Sequence, residues 1–342
     1  MKTYFLPEND FPAFVTNMVN ATRVIGPVAK KRKFVFAELG SAEDLRLDYD
    51  VTILPPKKAV FPQTQPLLKF SPQGYENGIS PEPQVLFGVH YYDVKALDML
   101  DQLFREGHED RHYLATRECT TIVSSNIQQV SERAFFSSVG ADVKAKGHDA
   151  FITAIEGGFV YEVRSVKGEA LVAHGNFRPA LGDEVSRAYA LNDEALDKCP
   201  QHLYHSTREI GRRVRAAFSR DEVWEELAEK CFSCGTCNTT CPTCYCFDVQ
   251  DKWNLDQVTG VRERTWDGCL LEDFAQVSLG GGATENFRQK GAARFRHRVL
   301  RKTAYLNEKI GGPACVGCGR CSIGCVPDIA DPVNIINRIM EG

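Results

Sequence analysis

The sequence predicts an α+β chain in two parts: a mixed α/β N-terminal domain over residues 1–190, then a mostly helical domain over 191–342 that carries a repeated cysteine run. Three observations lead there. In the first part, short apolar runs of strand length surround an amphipathic helix and are separated by Gly-containing turns. After residue 190 the apolar spacing turns helical. Finally, eleven of the thirteen cysteines fall between positions 231 and 325.

Taken in order, Phe34–Glu38 reads as a strand, and the basic run Lys30–Lys33 before it as a solvated face. Within 1–75 this is the one strand expected. The proline-rich stretches at 54–58 and 62–66 read as irregular extended chain, and Gln73–Pro83 as a loop. Val85–Val89 is an apolar run of buried-strand type. It leads into a helix over Asp93–Phe104, with Val94, Leu97, Met99, Leu100, Leu103 and Phe104 on one side and Asp93 as the N-cap. Thr121–Val123, His148–Ile155, Gly158–Val163 and Glu169–Val172 read as further strands.

In the second part, Ser219–Glu222 is a capping box of the S-x-x-E kind. The helix it opens has an apolar stripe of Val223, Trp224, Leu227 and Ala228 and runs into Cys231. A second helix is expected from Glu285 to about Tyr305, strongly basic through Arg288, Lys290, Arg294, Arg296, His297, Arg298, Arg301 and Lys302. Such a helix either supports anionic centres or an acidic partner electrostatically, or is simply an exposed face.

With 342 residues the chain can bury a sizeable core. A net charge of −4 and no basic-aromatic module argue against nucleic acid. No apolar run reaches the roughly 18 residues that span a bilayer, so no membrane is expected. The apolar run near Met1 is too short for a signal peptide, which makes the cytoplasm the expected location. An odd number of clumped cysteines without an export signal points to metal rather than to a disulfide framework.

Cys231, Cys234, Cys237 and Cys241, followed by Pro242, have the C-x2-C-x2-C-x3-C-P spacing that holds a [4Fe–4S] cluster. Cys315, Cys318, Cys321 and Cys325 repeat it, except that Val326 separates Cys325 from Pro327. In two-cluster ferredoxins the fourth cysteine of each run ligates the other cluster. The expected sets are therefore Cys231, Cys234, Cys237 and Cys325 for one cluster, and Cys315, Cys318, Cys321 and Cys241 for the second. Structural zinc normally takes two cysteine pairs separated by a longer loop, so a zinc-stabilised interaction module fits the spacing less well. Gly235 and Gly319 each follow the second cysteine of a run, where a small residue lets backbone N–H groups reach sulfur and permits positive φ.

Cys244, Cys246 and Cys269 read as small hydrophobes packed beside a cluster, the alternative being a third site with a non-cysteine fourth ligand. Cys119 and Cys199 stand alone and read as inert. There is no G-x-G-x-x-G or Walker fingerprint, Gly280–Gly282 reads as a turn, and no Ser/His/Asp arrangement stands out, so no catalytic residue is expected.

The run from Cys231 to Asp248 resembles the iron–sulfur beta subunit of cytoplasmic sulfhydrogenases (group 3 [NiFe] hydrogenases) and the A subunit of anaerobic sulfite reductase. Trp266–Cys269, Arg294–Arg298, Cys315–Cys321 and Leu54–Pro62 share the likeness, which spans nearly the whole chain. It implies an electron-transfer subunit with two [4Fe–4S] clusters, placed between a flavin-bearing NAD(P)H-reacting subunit and a catalytic hydrogenase or sulfur/sulfite reductase subunit. Family members usually carry Gly-Val-Arg-Pro-Cys-Asp and a downstream Cys-Phe-Cys-Thr-Ser-Met-Gly, which supply ligands for a further N-terminal cluster. Here Tyr92, Ala134 and Phe136 stand at the ligand positions and only Cys119 remains, so the N-terminal domain is expected to hold no cluster. The alternative function is a reductase subunit that is itself catalytic, with flavin or a third cluster.

Overall fold

The computed structural model describes residues 2–142 and 144–341. The chain opens with strand β1 (Thr3–Pro7), helix α1 (Phe11–Ala21) and the hairpin of β2 (Arg23–Lys30) and β3 (Lys33–Glu38), whose basic turn is exposed. A second hairpin, β4 (Thr64–Ser71) and β5 (Gly74–Asn77), precedes β6 (Gln84–His90). Helix α2 (Tyr91–Arg105) follows β6 without a loop, and α3 (Arg111–Cys119) leads into β7 (Thr120–Ser125). The hairpin of β8 (Ala150–Ile155) and β9 (Gly158–Val163) comes next, then α4 (Val166–Ala170), β10 (Arg178–Pro179) and α5 (Gly182–Asp197).

Eight of these strands form one sheet in the order β10-β1-β9-β8-β7-β6-β2-β3. Strands β2, β6, β7 and β8 pair in parallel, and the outer strands are antiparallel. Every residue of β6 is buried, as expected of a central strand covered on both faces. Alternation sorts its side chains up to Gly88, whose φ of 73° and register shift turn Val89 to the face of Leu86. Val85 and Phe87 pack with Phe14, Val15 and Met18 of α1, while Leu86 and Val89 pack with Val94, Leu97, Leu100 and Phe104 of α2.

Several expectations change here. The first 77 residues hold five strands and a helix rather than one strand. The expected loop at 73–83 includes β5, whose exposed polar residues carry no apolar alternation to read. Glu169–Val172 is helical, because Ser165 caps α4 by accepting the Gly168 N–H at 3.3 Å. Asp93 is not an N-cap: α2 begins at Tyr91, and the Asp93 carboxylate is engaged by a distant arginine instead.

The second part contains α6 (Thr207–Ala216), α7 (Asp221–Ala228) and the short α8 (Thr236–Thr239). Two hairpins follow, β11 (Phe247–Trp253) with β12 (Gly260–Trp266) and β13 (Gln276–Gly280) with β14 (Ala283–Asn286). Helix α9 (Gly291–Leu300) runs on into a π-helical turn, Arg301–Tyr305. After it come α10 (Asn307–Ile310), α11 (Arg320–Ile323) and α12 (Pro332–Glu341).

The expected helical character therefore needs correction between 247 and 286, where antiparallel pairing takes over. Ser219 does not cap α7 either. It ends a 3-10 turn, Ala217–Ser219, that Trp224 holds by donating Nε1–H to the Ala217 carbonyl at 2.8 Å. Helices α6, α7, α9 and α12 close a core of Val214, Trp224, Phe295, Leu300 and Ile336.

The two parts are stitched together. Strand β12 pairs with β4, giving a four-stranded sheet β11-β12-β4-β5 drawn from both. Arg133 donates to Asp328 at 3.0 Å and to Asp331 at 3.1 Å, and buried Arg264 pairs with Asp110. No helix among the described residues is long and apolar enough to cross a membrane.

Candidate metal centre

The first cysteine run starts where α7 ends, with the Cys231 N–H donating to the Ala228 carbonyl at 2.8 Å. Gly235 takes φ 71° and turns the chain into α8, which presents Cys237. Ser233, at φ 52°, is held in its strained turn by Arg294, whose Nη2 donates to Ser233 Oγ at 3.1 Å. Arg294 is in turn tied to the carbonyls of Arg288 and Gln289. The second run repeats the device: Gly319 at φ 76° leads into α11, which presents Cys321.

A segment of the N-terminal part closes over the second run. The Phe135 N–H donates to the Gly317 carbonyl at 2.8 Å, and a Cβ at Gly319 would lie 2.5 Å from the Arg133 carbonyl oxygen. Glycine is needed there for space as well as for φ.

The eight cysteines of the two runs line two cavities. Cys231, Cys234, Cys237 and Cys325 line one, together with Phe295 and Ile329. Cys241, Cys315, Cys318 and Cys321 line the other, together with Phe135 and Ile336. Each cavity thus takes three cysteines from one run and the fourth from the other. The first lies near the surface, with Cys234 exposed and Phe232 70% exposed beside it. The second lies under the Phe135 segment. Among the described residues, no group of three or more His, Cys, Asp or Glu is arranged to hold a lone metal ion. Four thiols lining each cavity without closing on a single point fit the corners of a cubane better than a tetrahedral zinc.

The electrostatics fit an anionic occupant. Burial pushes the thiol pKa of Cys237 and of Cys315 up to about 12, and that of Cys318 higher still. Arg298, 4% exposed, lines the second cavity and donates to the Cys237 carbonyl at 3.3 Å. Lys302 lines the same cavity and donates to Thr243 Oγ1 at 2.7 Å. Burial works against its charge, but Cys241 and Cys244 outweigh that and raise its pKa. Buried Lys57 donates to the Cys244 carbonyl, and burial brings its pKa down to about 8.

Neither Arg298, Lys302 nor Lys57 makes an ion pair with a carboxylate among the described residues. Buried cations require counter-anions, and cysteine-ligated clusters supply them. The basic helix is therefore partly turned inward. Arg294, Arg298 and Lys302 recur every four residues along it, a spacing that puts them on one face and was open to reading in advance. Lys57 carried no such signal.

The remaining cysteines separate. Cys244, Cys246 and Cys269 line a third cavity with Thr243, Arg298, Arg301 and Lys302. Cys199 is buried in the apolar cluster around α2, and Cys119 lies at the end of α3. Tyr92 and Phe136 stack at 5.6 Å within that cluster and pack with Ala134, Val316 and Cys318.

A family model described as a 4Fe-4S dicluster domain matches residues 230–329, the span of both runs. The sulfhydrogenase 2 subunit beta of Pyrococcus furiosus is 32% identical over 335 residues, covering 97% of this chain and 96% of that protein. No solved structure matches the chain significantly. Similarity along the whole length, together with the dicluster domain, shows that the chain belongs to the sulfhydrogenase beta-subunit family.

Proposed function

We propose that the chain relays single electrons through two [4Fe–4S] clusters, between a flavin-bearing NAD(P)H-reacting subunit and a catalytic subunit of hydrogenase or sulfur/sulfite reductase type. Cys231, Cys234, Cys237 and Cys325 would hold one cluster, and Cys315, Cys318, Cys321 and Cys241 the other. The observation that carries this reading is the exchange of the fourth cysteine, which leaves each cavity with four thiols. Arg298, Lys302 and the neighbouring backbone N–H groups would balance the charge of the clusters and set their potentials.

The cavity beside exposed Cys234 and Phe232 is the contact point for a partner, since electrons enter or leave most readily where a cluster nears the surface. In this reading residues 1–190 are a scaffold and 191–342 the cluster-bearing unit. Tyr92 and Phe136, stacked at positions where the family resemblance implies ligands, favour an N-terminal part without a cluster of its own.

Iron and acid-labile sulfide in the anaerobically purified chain should reach at least about eight each. Cys234→Ala and Cys318→Ala should each remove roughly four irons. A wild-type value near four, or stoichiometric zinc in a colourless protein, overturns the relay.

A further inference from the structure

The third cavity has no part in the two-cluster relay, and its chemistry is specific. Cys244 and Cys246 leave the first run on the segment entering β11, and Cys269 returns to them after β12. Asn238, 3% exposed, spans two of the sulfurs. Its Nδ2 donates to Cys269 Sγ at 3.3 Å and approaches Cys244 Sγ at 3.7 Å, while its Oδ1 accepts the Leu270 N–H at 3.3 Å. An amide held in this way by a backbone donor points its own N–H groups at sulfur as a fixed feature.

Four cations border the same space and no carboxylate lines it. Arg298, Arg301 and Lys302 are in the lining, and Lys57 holds the Cys244 carbonyl from outside. Arg298 Nε is buried without a hydrogen-bond partner. With the second cluster balancing Arg298 and Lys302, three cysteines packing merely as small hydrophobes would still leave the positive charge of buried Lys57 and half-buried Arg301 unbalanced, which is costly. A bare divalent cation would make it worse. A cubane with thiolates on three of its irons is a net anion and balances it.

We infer that Cys244, Cys246 and Cys269 ligate a third [4Fe–4S] cluster whose fourth iron has no cysteine. Besides these three cysteines the lining holds no usual ligand of an iron–sulfur cluster, the Tyr245 hydroxyl being engaged by Arg301, so water or a small anion completes the fourth corner. Thr243 links this site to the second cavity, because it lines both and accepts from Lys302. The second and third cavities are therefore neighbours, with Arg298 and Lys302 also common to both linings. This inference rests on the iron–sulfur reading of the other two cavities.

The test uses the full chain, purified anaerobically, and reads iron and EPR rather than activity. Wild type should hold about twelve irons, and Cys246→Ser and Cys269→Ser about eight each. A cubane with one non-cysteine corner loses that iron when a one-electron oxidant such as ferricyanide is added. The products are Fe2+ and a [3Fe–4S]+ core, with the electron passing to ferricyanide. Wild type should show the [3Fe–4S] EPR signal, and both variants should lack it.

Eight irons in wild type, all retained in both variants, overturns the third site and leaves the two-cluster relay intact. Stoichiometric zinc lost from the variants overturns it too. The wild-type count and spectrum decide the matter even if a variant does not fold.

Discussion

Arg320 and Asp93 form a bidentate ion pair with both N···O distances at 2.6 Å and both side chains at most 1% exposed. Arg320 follows Gly319 in the second cysteine run, and Asp93 lies in the first turn of α2. Arg320 Nε also donates to the Thr52 carbonyl at 2.8 Å, so one guanidinium ties the cluster run to two separate segments of the N-terminal part. Removing one partner from such a pair leaves a buried charge uncompensated, which costs about 3–5 kcal/mol. Asp93→Ala should lower stability by that order in urea denaturation, and it should lose iron from the second cavity before the first. Equal loss from both would mean that the pair does not act through the run.

The Gly319 position admits no Cβ, since φ is 76° and a methyl would lie 2.5 Å from the Arg133 carbonyl. Gly319→Ala should cost on the order of 1–3 kcal/mol in strain, and it should push away the Phe135 segment. Thermal denaturation combined with iron content checks this. Unchanged values would show that the contact gives way without effect.

Arg298 and Lys302 place positive charge beside the cavities, which favours the reduced, more negative state of any cluster there. At about 6 Å and an effective dielectric near 20, one charge is worth roughly 2–3 kcal/mol, or roughly 100 mV for a single electron. Lys302→Met should therefore lower a cluster potential by tens of millivolts or more in an EPR-monitored redox titration. A shift to higher potential would sink the charge-compensation argument.

His148 supplies an acid-sensitive element outside the cysteine runs, packed edge-on against Phe151. Burial, and after it neighbouring Arg164, outweigh the opposing Asp149 and bring its pKa down to about 4. In the unfolded chain it titrates near 6.5. The folded state therefore holds the ring neutral. Its contribution is complete above about pH 6.5 and is lost as pH falls toward 4. Between pH 7 and 5 the loss is on the order of 2 kcal/mol. Comparing urea midpoints of wild type and His148→Leu at both values should show a smaller acid loss in the variant. Parallel losses would exclude His148 as the source.

Much of the frame was legible from periodicity. Val85–Val89 lies within β6, Thr121–Val123 within β7, and Gly158–Val163 is β9, because buried strands are apolar throughout. The edge elements were not legible. Strand β5 is exposed throughout and β4 is half-buried and interrupted by Pro66, and they are strands because β12, nearly two hundred residues away, pairs with β4. Asp93 looked like a cap because capping is a local rule, whereas its actual partner lies 227 residues along the chain.

The number and spacing of the cysteines by themselves determined what kind of centre this chain can hold, because ligation by neighbouring thiols is a local property of a few residues. Only the tertiary structure decided how those thiols are grouped into cavities and which cations are buried among them. It also decided that Cys244, Cys246 and Cys269 share one space. Those outcomes depend on side chains from distant segments being driven into a common interior, where every buried charge must find a counter-charge that no local pattern announces.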